Sequence, residues 1–124
     1  MKFVTPRRAG AALLVTAVGA GSVAAGVASA GGNLTLGSKK QGVSFTKKSL
    51  TTTSGRVTIT LTVPSGSQFP HAIAIRGGGV NRRGRVVARG TSRVTANLRA
   101  GRYTFYCPVG QHAANGMRGR LTVN

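Results

Sequence analysis

From residue 55 onward, apolar and polar residues alternate along the chain with a period of two. The clearest run is RVTITLTV (56–63), where Val57, Ile59, Leu61 and Val63 share one face and threonines line the other. Strict alternation over that length predicts a half-buried antiparallel strand. HAIAI (71–75), SRVTANL (92–98), RYTFYC (102–107) and GRLTV (119–123) read the same way, and VSF (43–45) and SLTTT (49–53) predict two shorter strands. Gly, Ser, Pro and Asn fill the breaks at TSG, PSGSQFP, RGGGVNRRG and RAG, while GGNLTLGSKKQG (31–42) is either a loose lead-in or a first strand. No window carries a helical period. Short strands punctuated by turn residues predict an all-β domain, a sandwich or a barrel.

Residues 1–30 follow a different rule. MKFVTPRR places Lys2, Arg7 and Arg8 ahead of an uncharged Ala/Val/Leu/Gly run that ends in Ala28-Ser29-Ala30. A basic start, an apolar middle and a small-x-small exit predict a secretory signal peptide cut before Gly31. An uncleaved anchor is the alternative, since the run from 9 to 30 is about long enough to span a bilayer. The Arg7-Arg8 pair leaves Sec and twin-arginine export both open. The expected protein is then one small domain, 31–124, that is periplasmic, associated with the cell envelope, or secreted.

Charge narrows the function. The chain has 18 Lys and Arg and no Asp or Glu. Carboxylate acid/base catalysis, Ser-His-Asp triads and calcium or magnesium cages all need groups it lacks. Its field favours anionic partners: acidic proteins, or the cell-wall polymers and anionic lipid of a cell-envelope surface, or nucleic acid. Of these, nucleic acid is not expected: an exported chain rarely meets it, and the Phe and Tyr residues are not interleaved with basic ones as stacking platforms are.

Cys107 is the only cysteine. In an oxidising compartment cysteines usually pair, so an unpaired one is buried and inert, bridged to another chain, reactive, or a metal ligand. Its surroundings select among these. YCPVGQHAANGMRG (106–119) sets Cys107, His112 and Met117 at Cys-x4-His-x4-Met, and the only other histidine, His71, begins a predicted strand. Two imidazoles, a thiolate and a weak thioether make a blue-copper donor set; zinc accepts the same nitrogens and thiolate but rarely methionine. Oxidases and reductases with several copper sites need histidines that this chain does not have.

On these residues the chain resembles the cupredoxins, the small blue (type 1) copper proteins of the plastocyanin/azurin group. SGRVTITLTVPSGSQFPHAIAI is similar to the family stretch that ends in the first ligand, and AGRYTFYCPVGQHAANGMRGRLTV to the stretch that supplies the rest. The resemblance implies a Greek-key β-sandwich of about seven to eight strands and one copper ion. His71, Cys107 and His112 would be its equatorial ligands and Met117 its axial one. It implies a monomeric electron carrier cycling between Cu(I) and Cu(II), not an enzyme; the alternative is an exported copper protein for storage, delivery or protection. His112 would be the electron port, collared by Pro108, Val109, Ala113 and Ala114, with Tyr106 as a second, lateral contact. Arg76, Arg82, Arg83, Arg85 and Arg89 would form a docking face for acidic redox partners. Two positions depart from the family. Ala72 stands where plastocyanins carry a bracing Asn, leaving its backbone N–H as a possible donor to the sulfur, and Pro108 removes an N–H beside the thiolate.

Overall fold

The computed structural model describes residues 31–124; the expected signal, residues 1–30, lies outside them. Eight strands form in chain order: β1 (Gly32–Gly37), β2 (Ser49–Thr52), β3 (Gly55–Val63), β4 (Ala74–Gly77), β5 (Val80–Arg83), β6 (Gly90–Leu98), β7 (Gly101–Tyr106) and β8 (Arg118–Val123). They divide into a sheet of order β1-β3-β6 and a second of order β2-β8-β7-β4-β5. The chain passes back and forth between the sheets, giving the expected Greek-key β-sandwich, with no helix among the described residues. β1 runs parallel to β3 and β2 parallel to β8; the remaining pairs are antiparallel.

The period-two pattern decides what lies between the sheets. Val57, Ile59, Leu61 and Val63 of β3 are buried, as are Val94, Ala96 and Leu98 of β6. Facing them are Ile75, Phe105, Leu121 and Val123 from the other sheet, with Ile73 just ahead of β4. Each such large side chain contributes about 1.5–3 kcal/mol by leaving water. Phe105 stands opposite Gly119 in the β7–β8 register. Its ring lies across that α-carbon, where even a single Cβ would collide with it. Phe45 closes the other side of the ring, with centroids 5.5 Å apart.

Three local expectations change. VSF is no strand: only a single bridge joins Ser38 to Phe45, although Phe45 is deep in the core. The strand expected from residue 71 begins at Ala74, and His71 holds only an isolated bridge to Val87. RGGGVNRRG, expected as a break, is the β4–β5 hairpin. Gly77 pairs with Val80, and Gly78 and Gly79 turn the chain at φ 53° and 84°. A two-residue turn with both φ values positive is the type I′ geometry that suits a twisted hairpin, and glycine adopts it without steric cost. Val80–Arg83 carries no apolar alternation because β5 is an edge strand with an exposed burial pattern.

Candidate metal centre

Cys107 follows directly on β7 and inherits that strand's inward phase, so its thiol is fully buried at the end of the sandwich. The segment from Pro108 to Met117 then folds back over it. His112 N–H donates to Val109 C=O (3.0 Å), Asn115 N–H to Gln111 C=O (3.0 Å) and Met117 N–H to His112 C=O (2.9 Å). Cys107 N–H closes the loop on Met117 C=O at 3.1 Å. Gly116, at φ 107°, makes the bend that returns the chain to β8. The loop is therefore fixed by its own backbone. Arg118 adds a side-chain tie, donating to Ala113 C=O at 2.6 Å.

His71 arrives from the other direction. Its backbone exchanges two hydrogen bonds with Val87, N–H to C=O at 3.0 Å and the reverse at 2.9 Å. The next residues are held as well: Gly84 N–H donates to Ile73 C=O (2.7 Å), and Ile73 N–H to the Ser92 hydroxyl (3.3 Å). Ser92 Oγ in turn donates to Arg85 C=O at 2.6 Å. These bonds supply the bracing that Ala72, a fully buried methyl, does not. Sequence reasoning missed Ser92, since an isolated serine at an inward strand position carries no signal of its own.

The three donors converge. Cys107 Sγ lies 3.5 Å from His112 Nδ1 and 3.9 Å from His71 Nδ1, and all three atoms fall within 4.8 Å of one another. Donors about 2.0–2.3 Å from a shared ion, at tetrahedral to trigonal angles, stand roughly 3.4–3.9 Å apart. Both sulfur–nitrogen separations fall in that range and fit a single metal ion. The two imidazole rings are 5.1 Å apart at 59°. Met117 is fully buried, and its backbone bonds both Cys107 and His112. The two sulfurs and two nitrogens suit copper, and the chain has no carboxylate to draw a harder ion.

Electrostatics agrees. Burial, and next the neighbouring His112, holds the His71 imidazole below its ordinary pKa of 6.5, so it is neutral as a ligand must be. Its Nδ1 faces the thiol, while its Nε2 is buried without a hydrogen-bond partner among the described residues. Packing and the Nδ1···Sγ contact orient this ring. Among the described residues no backbone N–H donates to Sγ: Ala72 N–H does not reach it and Pro108 has none.

His71 and Cys107 are sealed, whereas His112 is partly exposed. Of the residues expected as its collar, Pro108, Val109 and Ala113 are half-buried and Ala114 is exposed. Phe69, unexpected from the sequence, joins them: it is 39 % exposed, with its ring edge-on to His112 at 5.7 Å. Its position two residues before His71 was the available clue. Tyr106 corrects an expectation. It is on the outer face but only 6 % exposed, because the Arg76 guanidinium covers its ring at 4.5 Å and its hydroxyl donates to Asn81 Oδ1 at 3.4 Å. It offers no open second contact. Three of the five arginines divide accordingly: Arg76 caps Tyr106, while Arg83 and Arg85 line a separate groove with Thr91 and Arg93.

Comparisons with known proteins agree with this geometry. The sequence model of a family described as copper binding proteins, plastocyanin/azurin family, matches residues 32–124. No curated protein matches the chain. Among solved structures, dithionite-reduced auracyanin from Roseiflexus castenholzii is similar at 22 % identity and TM-score 0.62, over 74 % of this chain and 96 % of that one. Auracyanin A from Chloroflexus aurantiacus, titled a "blue" copper protein, has 24 % identity and TM-score 0.60, over 74 % and 98 %. A reduced Cu(I) form of an amicyanin variant has 18 % identity and TM-score 0.55, over 77 % and 85 %. At these identities the likenesses bear on the fold.

Proposed function

The chain belongs to the plastocyanin/azurin family of copper-binding proteins, and from that premise we propose a one-electron carrier that holds copper through His71, Cys107, His112 and Met117. Copper bound there supplies a Cu(I)/Cu(II) couple. The observation that carries the reading is the convergence of a buried thiol and two imidazole Nδ1 atoms in a loop tied by its own backbone. Such a frame keeps the donors in one arrangement whichever redox state is present, which is what rapid electron exchange needs. A buried, nearly closed set also suits a carrier better than a store, which must admit and release its ion.

His112 is the member of the set that reaches the surface, so a redox partner would meet its ring edge within the collar of Phe69, Pro108, Val109 and Ala113. Partners with acidic docking faces would be steered by the positive field, to which Arg82 and Arg83 of β5 and Arg85 and Arg89 of the segment after it contribute. With no Asp or Glu in the chain, carboxylate acid/base catalysis is closed to it and the role is that of a carrier, not an enzyme. Residues 1–30 would export it as a monomer to the periplasm, cell envelope or medium.

Copper(II) added to the purified protein tests this by absorption and EPR. An intense thiolate-to-copper band with narrow hyperfine splitting, lost in Cys107→Ser, is expected. A colourless adduct would overturn the carrier reading and favour storage or delivery.

A further inference from the structure

The outer face of the five-stranded sheet has a composition that electron transfer does not use. In the β4–β7–β8 register, Arg76 stands beside Thr104 and Arg120, Tyr106 beside Arg118, and Arg102 beside Thr122. The strands of this face thus carry four arginines, Arg76, Arg102, Arg118 and Arg120. The outer face of the other sheet is a ladder of threonines, including the Thr58–Thr95 hydroxyl pair at 2.9 Å, with only Arg56 and Arg93 among them. The cationic face also has a depression of about 490 Å³, lined by Lys48, Arg102, Arg118 and Arg120 with Ser49 and Thr104.

The geometry points to a binding groove for a linear phosphate-bearing polyanion on this face. Alternate residues of a strand lie about 6.8 Å apart. Arg118, Arg120 and then Arg102, which faces Thr122, therefore occupy three successive rungs. A chain of repeating phosphate groups can follow that spacing. Lys48 flanks the middle rung, its C=O accepting Arg120 N–H at 2.9 Å. No carboxylate side chain exists to neutralise any of these cations. The side chains of Lys48, Arg102 and Arg120 make no hydrogen bond among the described residues, so their donors face the groove unspent.

The occupant is a polymer rather than a folded acidic protein because the groove presents no exposed apolar centre: Tyr103, the one aromatic residue of its lining, is only 7 % exposed. Protein interfaces draw most of their energy from a buried aromatic or aliphatic cluster. Among the described residues the exposed large hydrophobic ones are Phe69 and Val86, and neither lines the groove. The groove meets the His112 collar only through the Arg118 bond to Ala113 C=O, so a polyanion held on Lys48, Arg102 and Arg120 leaves that collar open. The protein is thereby held on an anionic matrix with its metal-proximal surface still presented. This inference does not depend on the copper reading.

Long-chain inorganic polyphosphate titrated into the copper-free full-length protein at several salt concentrations tests it. Lys48→Gln, Arg102→Gln and Arg120→Gln together should weaken binding about tenfold or more and reduce the log–log salt slope by about two. Lys39→Gln, Arg56→Gln and Arg93→Gln together remove the same charge elsewhere and should weaken it less than about threefold. All six side chains are exposed, so both triples should fold. Equal losses in the two triples would reduce the effect to net charge and overturn the groove. So would binding to phosphatidylglycerol vesicles without binding to polyphosphate, or tighter binding to poly-glutamate than to polyphosphate.

Discussion

Replacing Ser92 by alanine removes one hydroxyl and strands two backbone groups beside the metal centre. Ser92 is 1 % exposed; its Oγ accepts from Ile73 N–H at 3.3 Å and donates to Arg85 C=O at 2.6 Å. A buried donor or acceptor left without a partner costs about 1–3 kcal/mol. Ile73 N–H is buried and carries that cost in full, while the partly buried Arg85 C=O can recover water. The sum is about 2–3 kcal/mol, or a fall in Tm of roughly 10–20 °C for a domain of this size. Ser38 supplies an internal control: it is buried too, at 6 % exposure, but its Oγ has no hydrogen-bond partner among the described residues. Ser38→Ala removes a hydroxyl that costs stability where it is, and should be neutral or slightly stabilising. Urea unfolding of the copper-free proteins measures both without the stabilisation that bound metal adds. In the copper-loaded Ser92→Ala protein, the thiolate band should also broaden, because Ile73 is two residues from His71. Equal destabilisation by the two substitutions would refute the reasoning, since burial of serine and not its bonding would then set the cost.

Other consequences follow from the same structure. Gly119→Ala forces a methyl into the Phe105 ring, which Phe45 keeps from retreating. It should cost about 1–3 kcal/mol, and Phe105→Leu should relieve part of that in a double-mutant cycle of unfolding free energies. For the copper-free protein, the lowered pKa of His71 means that the unfolded chain takes up a proton near pH 6.5 before the folded one does. The contribution of His71 is thus whole above that pH and lost as pH falls below it, by at most about 1.4 kcal/mol per unit. Urea unfolding at pH 7.5 and 5 should show the decline, and His71→Gln should reduce it. Pro108→Ala places an N–H next to a thiolate that has no backbone donor. Hydrogen bonding to the sulfur tunes the couple, so voltammetry should find a higher reduction potential.

Much of this protein is written in local sequence. A period of two over 56–63 makes a strand whatever lies around it, because alternate side chains leave opposite faces and only one face is apolar. The Cys-x4-His-x4-Met loop is local as well: no backbone bond within it spans more than ten residues, so spacing limits where Cys107, His112 and Met117 sit relative to one another. The absence of every Asp and Glu is a fact of composition, and it closes off whole classes of chemistry before any folding occurs.

Other features depend on contacts between distant segments, which no local pattern encodes. His71 comes within 3.9 Å of a thiol 36 residues away because the two sheets pack and Val87 and Ser92 pin its segment. Phe69 reaches His112, and Tyr106 disappears beneath Arg76, through side-chain encounters between separate elements. β5 shows no hydrophobic alternation because an edge strand covers little of the core; its place is decided by the Gly78–Gly79 turn and by pairing with β4. The arginines read as one cluster along the chain separate in space, Arg76 lying over Tyr106 while Arg83 and Arg85 line a groove with Thr91 and Arg93. Sequence by itself determined the donors and the alternation. Tertiary structure decided which donor meets the surface, what braces His71, and that the positive charge gathers on the outer face of the five-stranded sheet.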